Sequence, residues 1–282
     1  MDIGIQQLMI GKTLKDKSEA IRVLNTLKEN RYNSIELDGF MIRKVPFIVK
    51  LLTDMSGMPT GNSNKLDWID IIKETGLKVT SVHEDLGTIE DSFDMVVNEC
   101  STYQCKYVVI TGMYQYDYDS KESLDSLVDR LNKAGEKFKE KGISLLYHNH
   151  NVEFSRMKDG LTSYEYIVNN TNPEFVNFEF DGYWATDAGI NVIKTIDKLG
   201  SRLKLYHIND RQKKTKGKSI TPIVKFDAAE LGTGVMDIEG IIEALERNKC
   251  EAIILETHRN WVDGDPLKSA LISGEFLQKA IK

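Results

Sequence analysis

Short apolar, β-branched runs alternate with longer amphipathic stretches along the whole chain. This alternation predicts repeated strand and helix units built around a parallel sheet. The predicted strands begin near Ile3, Ser34, Lys78, Lys106, Ile143, Phe175, Leu203 and Glu251. The predicted helices cover residues 18–29, 66–75, 92–104, 120–141, 164–170, 188–199, 237–248 and 266–281. Gly76 and Gly142 each follow a predicted helix and precede a strand, as helix-terminating glycines do.

Eight strands with eight following helices are compatible with a closed barrel or with an open doubly wound sheet. The closed barrel is favoured, because no glycine-rich phosphate motif follows the first strand. The chain has 282 residues, close to the ~250 residues that are typical of a (β/α)8 barrel. No linker rich in Pro, Gly or Ser interrupts the sequence. We therefore predict a single (β/α)8 TIM-barrel domain over residues 1–282.

Composition narrows the class of partner. The formal net charge is −6, which argues against a protein that must neutralise many phosphates of a nucleic acid. No apolar run approaches the ~20 residues that span a bilayer, and the first residues do not resemble a leader segment. Cys100, Cys105 and Cys250 are expected to be buried free thiols. We expect a cytoplasmic protein that binds a small molecule and binds neither nucleic acid nor a membrane. A homo-oligomer is possible, and the sequence has no interface signature that decides it.

All five histidines lie at the C-terminal ends of predicted strands, namely His83, His148, His150, His207 and His258. Acidic residues lie in the same places, namely Glu84, Asp85, Glu153, Glu179, Asp181, Asp210 and Glu256. In a barrel of this kind these ends converge on one face, where active sites are built. A mixed set of His and carboxylate ligands is typical of Mn²⁺, Zn²⁺, Co²⁺ or Fe²⁺, whereas an all-oxygen set favours Ca²⁺ or Mg²⁺. One divalent ion is predicted, Mn, Co, Zn or Mg, with Mn or Zn favoured.

Several motifs carry a resemblance to a known family. They are IELDGF from Ile35, GLKVTSVH from Gly76, YHNHNVEF from Tyr147, FDGYWATDAG from Phe180, LKLYHIND from Leu203 and LETH from Leu255. In order and spacing the chain resembles the sugar phosphate isomerase/epimerase family of xylose isomerase-like TIM barrels. That family includes ketose 3-epimerases and inosose dehydratases. The resemblance runs nearly from end to end.

The resemblance implies four metal ligands from consecutive late strands. They fall on Asp181, His207 and Glu256, while the Glu usual on the fifth strand is replaced by His148. His150 and Glu153 compete with His148 for that position. The lysine that many relatives carry after the seventh-strand His is Asn209 here, which weakens any role that depends on that amine.

The same resemblance implies a metal-dependent isomerase or epimerase of a sugar or sugar phosphate that works through an enediolate. Glu256 is the expected base, and Glu153 or His150 is the expected partner on the other side of the substrate. The alternative is a lyase or dehydratase acting on a keto-polyol such as an inosose, or on a keto-glycoside. His148 shifts some weight toward lyase chemistry, because it removes one of two proton-transferring carboxylates.

Four further residues are predicted to contact substrate: His83, Trp184, Glu36 and His258. Trp184 follows the sixth-strand ligand, where an indole either stacks on a sugar ring or packs at the rim. Glu36 on the second strand is either a substrate contact or a buried ion-pair partner. A basic run follows the seventh strand: Arg211, Lys213, Lys214, Lys216 and Lys218. It is interpreted as a solvated flexible loop or as a lid that attracts a phosphorylated or acidic sugar.

Overall fold

The computed structural model describes residues 1–44, 58–111, 116–158, 160–212 and 224–281. The strands are β1 (Asp2–Gln6), β2 (Ser34–Asp38), β3 (Lys78–Glu84), β4 (Tyr107–Ile110), β5 (Ser144–His148), β6 (Val176–Asp181), β7 (Leu203–Ile208), β8 (Asp210–Arg211), β9 (Ala228–Ala229) and β10 (Ala252–Leu255). All except β8 and β9 pair in parallel in a closed barrel, in which β10 pairs with β1. β8 and β9 pair with each other in an antiparallel ribbon. The predicted fold class is confirmed.

The barrel strands begin within one residue of the predicted positions. The strands were easy to locate because parallel strands are buried on both faces, so each appears in the sequence as a short continuous apolar run. β10 is an example, since each residue of Ala252–Leu255 is buried.

The interior of the barrel has two layers with different chemistry. We call the first the apolar layer, which forms its own packed cluster: Tyr107, Val109, Leu146, Leu205, Ala252 and Ile254. Side chains two residues apart on a strand point to the same face. The inward positions toward the C-terminal strand ends are therefore His148, His207 and Glu256, which follow Leu146, Leu205 and Ile254. We call the second the ionisable layer: Glu36, His83, His148, Glu179, Asp181, His207 and Glu256.

Helices surround the barrel: α1 (Gln7–Ile10), α2 (Lys17–Glu29), α3 (Gly39–Ile42), α4 (Trp68–Thr75), α5 (Leu86–Asp91), α6 (Phe93–Tyr103), α7 (Lys121–Glu140), α8 (Ser163–Asn170), α9 (Gly182–Asp187), α10 (Val192–Leu199), α11 (Ile238–Arg247) and α12 (Pro266–Ala280). Side-chain caps define several starts, such as the Thr162 and Glu165 capping box of α8. Gly76 ends α4 at φ +61° and Gly142 follows α7 at φ +73°, so both predicted glycine stops are confirmed.

One predicted helix differs from the structure. The helix expected over residues 188–199 begins only at Val192, and a separate helix, α9, ends at Asp187. Gly189 lies between them in the left-handed region, at φ +75°, which a right-handed helix cannot continue through. Asn191 then caps α10 by accepting the Lys194 N–H.

Other expectations have different outcomes. The three cysteines are buried and free, as predicted. Within the described ranges, no helix combines the length and the apolar character needed to cross a bilayer. Of the basic run, Arg211 lies in β8, whereas residues 213–218 lie outside the described residues. The single domain over residues 1–282 and the cytoplasmic location stay predictions.

Candidate metal centre

The histidines of the strand ends come together inside the mouth of the barrel. The ring centroid of His148 lies 4.7 Å from that of His207, 5.5 Å from that of His83 and 5.3 Å from that of His150. His258 reaches the same place from beyond β10, where its Nε2 lies 3.2 Å from Glu256 Oε1. The five strand-end positions are therefore parts of one site.

Asp181, His207 and Glu256 have possible ligand atoms within 4.8 Å of one another, and His148 faces this group through Asp181. We call the four side chains the upper ligand set: His148, Asp181, His207 and Glu256. Asp181 Oδ2 lies 3.9 Å from both His148 Nε2 and His207 Nδ1, and His207 Nδ1 lies 3.1 Å from Glu256 Oε2. Atoms that bind one ion at ~2.0–2.3 Å are roughly 3–4.5 Å from one another. The spacing of Asp181, His207 and Glu256 therefore suits a single divalent ion, and His148 lies next to Asp181.

Asp181 is held in place by the start of α9. Its Oδ1 accepts the backbone N–H of Tyr183 at 2.8 Å and that of Trp184 at 3.4 Å. This is ordinary N-cap geometry, and it assigns one carboxylate oxygen to the helix. The other oxygen, Oδ2, is left to face the histidines.

The two histidines of the upper ligand set are each anchored through their second ring nitrogen. His148 Nδ1 lies 2.9 Å from Glu179 Oε2, and His207 Nε2 lies 2.6 Å from Glu36 Oε1. His83 bridges these two carboxylates, with its Nε2 2.9 Å from an oxygen of each. Metal-binding histidines commonly donate their other N–H to a carboxylate, which fixes the ring and its tautomer. His148 and His207 both have this arrangement.

A second group of side chains overlaps the first, and we call it the deep ligand set: His83, His148, Glu179 and His207. The possible ligand atoms of this set lie within 4.8 Å of one another, as do those of Asp181, His207 and Glu256. Glu179 Oε1 is buried and has no hydrogen-bond partner among the described residues, and such an atom is costly unless something binds it. The buried His and Glu cluster is therefore consistent with a divalent ion, and its donors fit a transition-type metal.

Burial and mutual charge set the proton affinities of these groups. Burial lowers the pKa of His148 well below its ordinary value, and His207 and His150 lower it further. For His207 burial also acts downward, but the carboxylates of Glu179, Glu256 and Glu36 outweigh it and raise the pKa well above its ordinary value. An uncharged His148 has a ring nitrogen ready for an ion.

The upper ligand set opens onto a cavity of about 570 Å³ at the mouth of the barrel. This volume is within the ~300–1,000 Å³ range of small-molecule sites. Its wall includes His83, His148, His150, Trp184, Glu256 and His258. Asp181, His207, Glu36 and Glu179 are fully buried beneath it.

The predicted substrate contacts differ in where they lie. His83, Trp184 and His258 are on the cavity wall. Trp184 packs against His150, with 5.6 Å between ring centroids. Glu36 is below the wall, where it contacts His207, His83 and the Ser81 hydroxyl, so its placement favours the buried-partner alternative. All four roles stay predictions.

Glu153 lies outside the cavity wall. It accepts the backbone N–H of His150 at 3.0 Å and the Tyr147 hydroxyl at 3.1 Å. Burial raises the pKa of Glu153 to about 7, against these hydrogen bonds. Its placement favours an anchor for the loop after β5 rather than the predicted acid or base, and His150 is the wall residue of the pair.

Sequence reasoning did not assign three residues of the site. Glu179 carried a signal, because it lies two positions before Asp181 and therefore points to the same face. Asp38 on the cavity wall carried the same signal relative to Glu36. Lys225 carried none: it is fully buried, and its Nζ lies 2.6 Å from Asp181 Oδ2 and 2.5 Å from Glu256 Oε2.

Comparison with known proteins agrees with the barrel fold. The profile of a family described as xylose isomerase-like TIM barrel matches residues 53–280. An inosose dehydratase from Clostridium beijerinckii is 24% identical over 218 residues, which are 74% of this chain and 67% of that protein. A sugar phosphate isomerase/epimerase from Parabacteroides distasonis has a solved structure that superposes with a TM-score of 0.75, at 21% identity, covering 99% of this chain and 94% of that one. The IOLI protein, solved with a binding zinc atom, superposes with a TM-score of 0.68, at 17% identity, covering 99% and 96%.

The family match covers most of the chain and the structural likenesses share its barrel. The chain belongs to the xylose isomerase-like TIM barrel family.

Proposed function

We propose that this chain is a divalent-metal-dependent isomerase or epimerase of a sugar or sugar phosphate, and that the ion binds to the upper ligand set. One observation carries the proposal. His148 and His207 each direct one ring nitrogen toward Asp181 Oδ2 and hold the other on a buried carboxylate. Two histidines oriented in this way serve a common ion better than they serve packing.

The upper ligand set suits catalysis better than the deep ligand set. Catalytic sites keep a coordination position open to substrate. His148 and Glu256 are on the cavity wall, whereas Glu179 is fully buried below it. His207 uses Nδ1 toward Glu256 and Nε2 toward Glu36, so in this arrangement Glu36 and Glu179 orient ligands rather than bind the ion.

Residues of the cavity wall are the candidates for proton transfer and for substrate binding. A divalent ion supplies stabilisation of negative charge on substrate oxygens, as in an enediolate. Glu256 Oε1 faces His258, and this carboxylate is the proposed base. His150 is the proposed proton-transferring partner, because it is on the cavity wall and Glu153 is not. His83, His258 and Trp184 are the proposed substrate contacts.

A lyase or dehydratase acting on a keto-polyol such as an inosose, or on a keto-glycoside, is the second candidate. His148 is the observation that favours it, since this imidazole is where a second carboxylate is expected for epimerisation. The inosose dehydratases among the relatives support the same alternative. In both candidates the partner is a sugar-like small molecule.

Metal binding is tested first. The Asp181→Ala, His207→Ala double variant is expected to lose the ion that the wild type holds, measured by elemental analysis after dialysis. Asp85→Ser is the control, because Asp85 is a wall carboxylate outside both ligand sets, and Ser also caps α5. Retention of the ion at wild-type stoichiometry in the double variant would overturn the proposed site.

The reaction is tested next, by NMR in deuterated water with a panel of keto-sugars and inososes. An isomerase introduces solvent deuterium at a carbon that stays in the product. A lyase releases water or another leaving group. The absence of both reactions with a loaded enzyme across the panel would contradict the proposed substrate class.

A further inference from the structure

A buried lysine lies against the upper ligand set. Lys225 Nζ is 2.6 Å from Asp181 Oδ2 and 2.5 Å from Glu256 Oε2, and it also reaches the backbone carbonyl of Glu256 at 3.3 Å. The whole residue is 0% exposed. A lysine is almost never fully buried unless it is paired, and here the pairing is with two carboxylates of the proposed metal site.

The backbone around Lys225 fixes its direction. The Lys225 N–H donates to His258 Nδ1 at 3.2 Å. Two residues later, Asp227 accepts from Arg211 Nε at 3.1 Å and from Arg211 Nη2 at 2.9 Å. These contacts tie the segment before β9 to β8, so the lysine is directed into the barrel by a built support.

The charge of this ammonium is paired although the residue is buried. Carboxylate oxygens of Asp181 and Glu256 lie on either side of Lys225 Nζ at ion-pair distances, and a buried charge is tolerated when it is paired in this way. The pair of carboxylates therefore already has a cation.

A divalent ion in the upper ligand set needs the same two oxygens. Asp181 Oδ2 and Glu256 Oε2 cannot be shared between an ammonium and a dication without bringing the two positive charges within a few ångströms, in a buried site where screening is weak. The histidines of the set do not relieve this repulsion, since they are neutral when they bind an ion.

We propose that Lys225 is a built-in counter-cation of the metal site, which neutralises Asp181 and Glu256 in the metal-free protein and must withdraw before a divalent ion binds. The inference rests on the proposed ligand set. It adds a property that the ligand set does not imply, namely a metal-free form stabilised by the chain itself and a correspondingly weaker affinity for the ion. The apparent affinity for the ion is the intrinsic affinity multiplied by the fraction of molecules in which the lysine is withdrawn.

The test compares Lys225→Met with wild type after removal of metal by a chelator. Zn²⁺ and Mn²⁺ are titrated separately by calorimetry, with competition against a chelating dye for tight binding. We expect Lys225→Met to bind at least about tenfold more tightly, because the competing cation is gone. Lys225→Arg keeps a cation and is expected to bind no more tightly than wild type.

A second readout does not involve the ion. Without metal, Lys225→Met removes the ammonium that two buried carboxylates share and is expected to melt several degrees below wild type, a difference that saturating Zn²⁺ removes. Lys12→Met is the control for general charge, because the Lys12 ammonium is over the Trp261 ring at the same end of the barrel. It is expected to match wild type in both measurements.

The outcomes separate the two proposals. Equal affinity in wild type and Lys225→Met, with binding that still requires Asp181, overturns the role of Lys225 and leaves the proposed function intact. No binding of either ion by any variant overturns the ligand set, and the role of Lys225 with it. If Lys225→Met does not fold, a Lys225→Gln variant that binds no more tightly than wild type also overturns the counter-cation.

Discussion

The apolar layer and the ionisable layer lie in the same barrel and share β5 and β7, but burial has opposite effects on their stability. Leu205 and His207 are both fully buried on β7, two residues apart and on one face. In the apolar layer, burial removes hydrocarbon from water and stabilises the fold. In the ionisable layer, burial of charge is costly and is tolerated because each group has a charged partner. Two residues along a strand, ~6.5 Å, therefore separate a side chain that stabilises the fold from one that belongs to the proposed metal site.

The largest effect is expected from Glu256→Gln in the ionisable layer. This change keeps the shape of the side chain but removes the proposed base and weakens a ligand. We expect turnover to fall by about 10³-fold or more, equivalent to about 4 kcal/mol of transition-state stabilisation. Asp129→Asn, which alters an exposed carboxylate on α7 paired with Lys133, is the control and should retain most of the activity. A loss below tenfold in steady-state kinetics would remove Glu256 from the mechanism.

The second effect tests the apolar layer. Leu205→Ala leaves a cavity beneath the site and is expected to lower the free energy of unfolding by about 3 kcal/mol. Metal stoichiometry in the folded protein should stay at the wild-type value. Ile69→Ala is the control, because Ile69 is 55% exposed, and it should change stability by less than about 0.5 kcal/mol. Denaturant unfolding and elemental analysis measure both properties. Loss of metal with unchanged stability would contradict the division between the layers.

A third, smaller effect concerns the carboxylates that orient the ligands. Glu36→Gln removes the charge opposite His207 Nε2 and His83 Nε2. We expect metal affinity to fall by about 10–100-fold with the ligands themselves unchanged. Asp129→Asn, which alters an exposed ion pair with Lys133 on α7, should bind the ion as the wild type does. Wild-type affinity in Glu36→Gln would make Glu36 a packing partner only.

The smallest effect on turnover is expected from Glu153→Gln. Glu153 holds the loop after β5 and is not on the cavity wall, so turnover should stay within about threefold, whereas His150→Gln should lose about 10²-fold. A hundredfold loss in Glu153→Gln would restore its predicted catalytic role.

Glu153 also has a signature in stability. Its pKa is raised by burial from 4.5 to about 7, so the unfolded state releases the proton first. The contribution of Glu153 to stability is therefore lost as pH rises from about 4.5 to about 7. The free energy of unfolding of Glu153→Gln should fall less steeply than that of wild type across this window, as measured by denaturant titrations. If the free energies of unfolding of the two proteins change in parallel with pH, the pKa of Glu153 is not raised into this window.

Much of the fold follows from local pattern. Strand starts were predicted within one residue, because each strand is a short apolar run whose ends are marked by the polar residues around it. Gly76 and Gly142 were recognisable as helix stops for a similarly local reason. The helix start predicted near residue 188 was wrong. The helical sequence pattern extends across Gly189, but the backbone at Gly189 is left-handed and the helix begins only at Val192.

The same division applies to the site. The sequence by itself determined that five histidines and the acidic residues Asp181 and Glu256 follow strands and so meet at one mouth, since the geometry of a parallel barrel carries every strand end to the same face. Only the tertiary structure decided that Glu36 and Glu179 hold the second nitrogens of His207 and His148, that Glu153 turns away from the cavity, and that Lys225 enters the barrel. Strand periodicity is a local property and can be read from neighbouring residues. The direction of a loop and the partner of a buried charge depend on contacts between distant segments, and no local pattern encodes them.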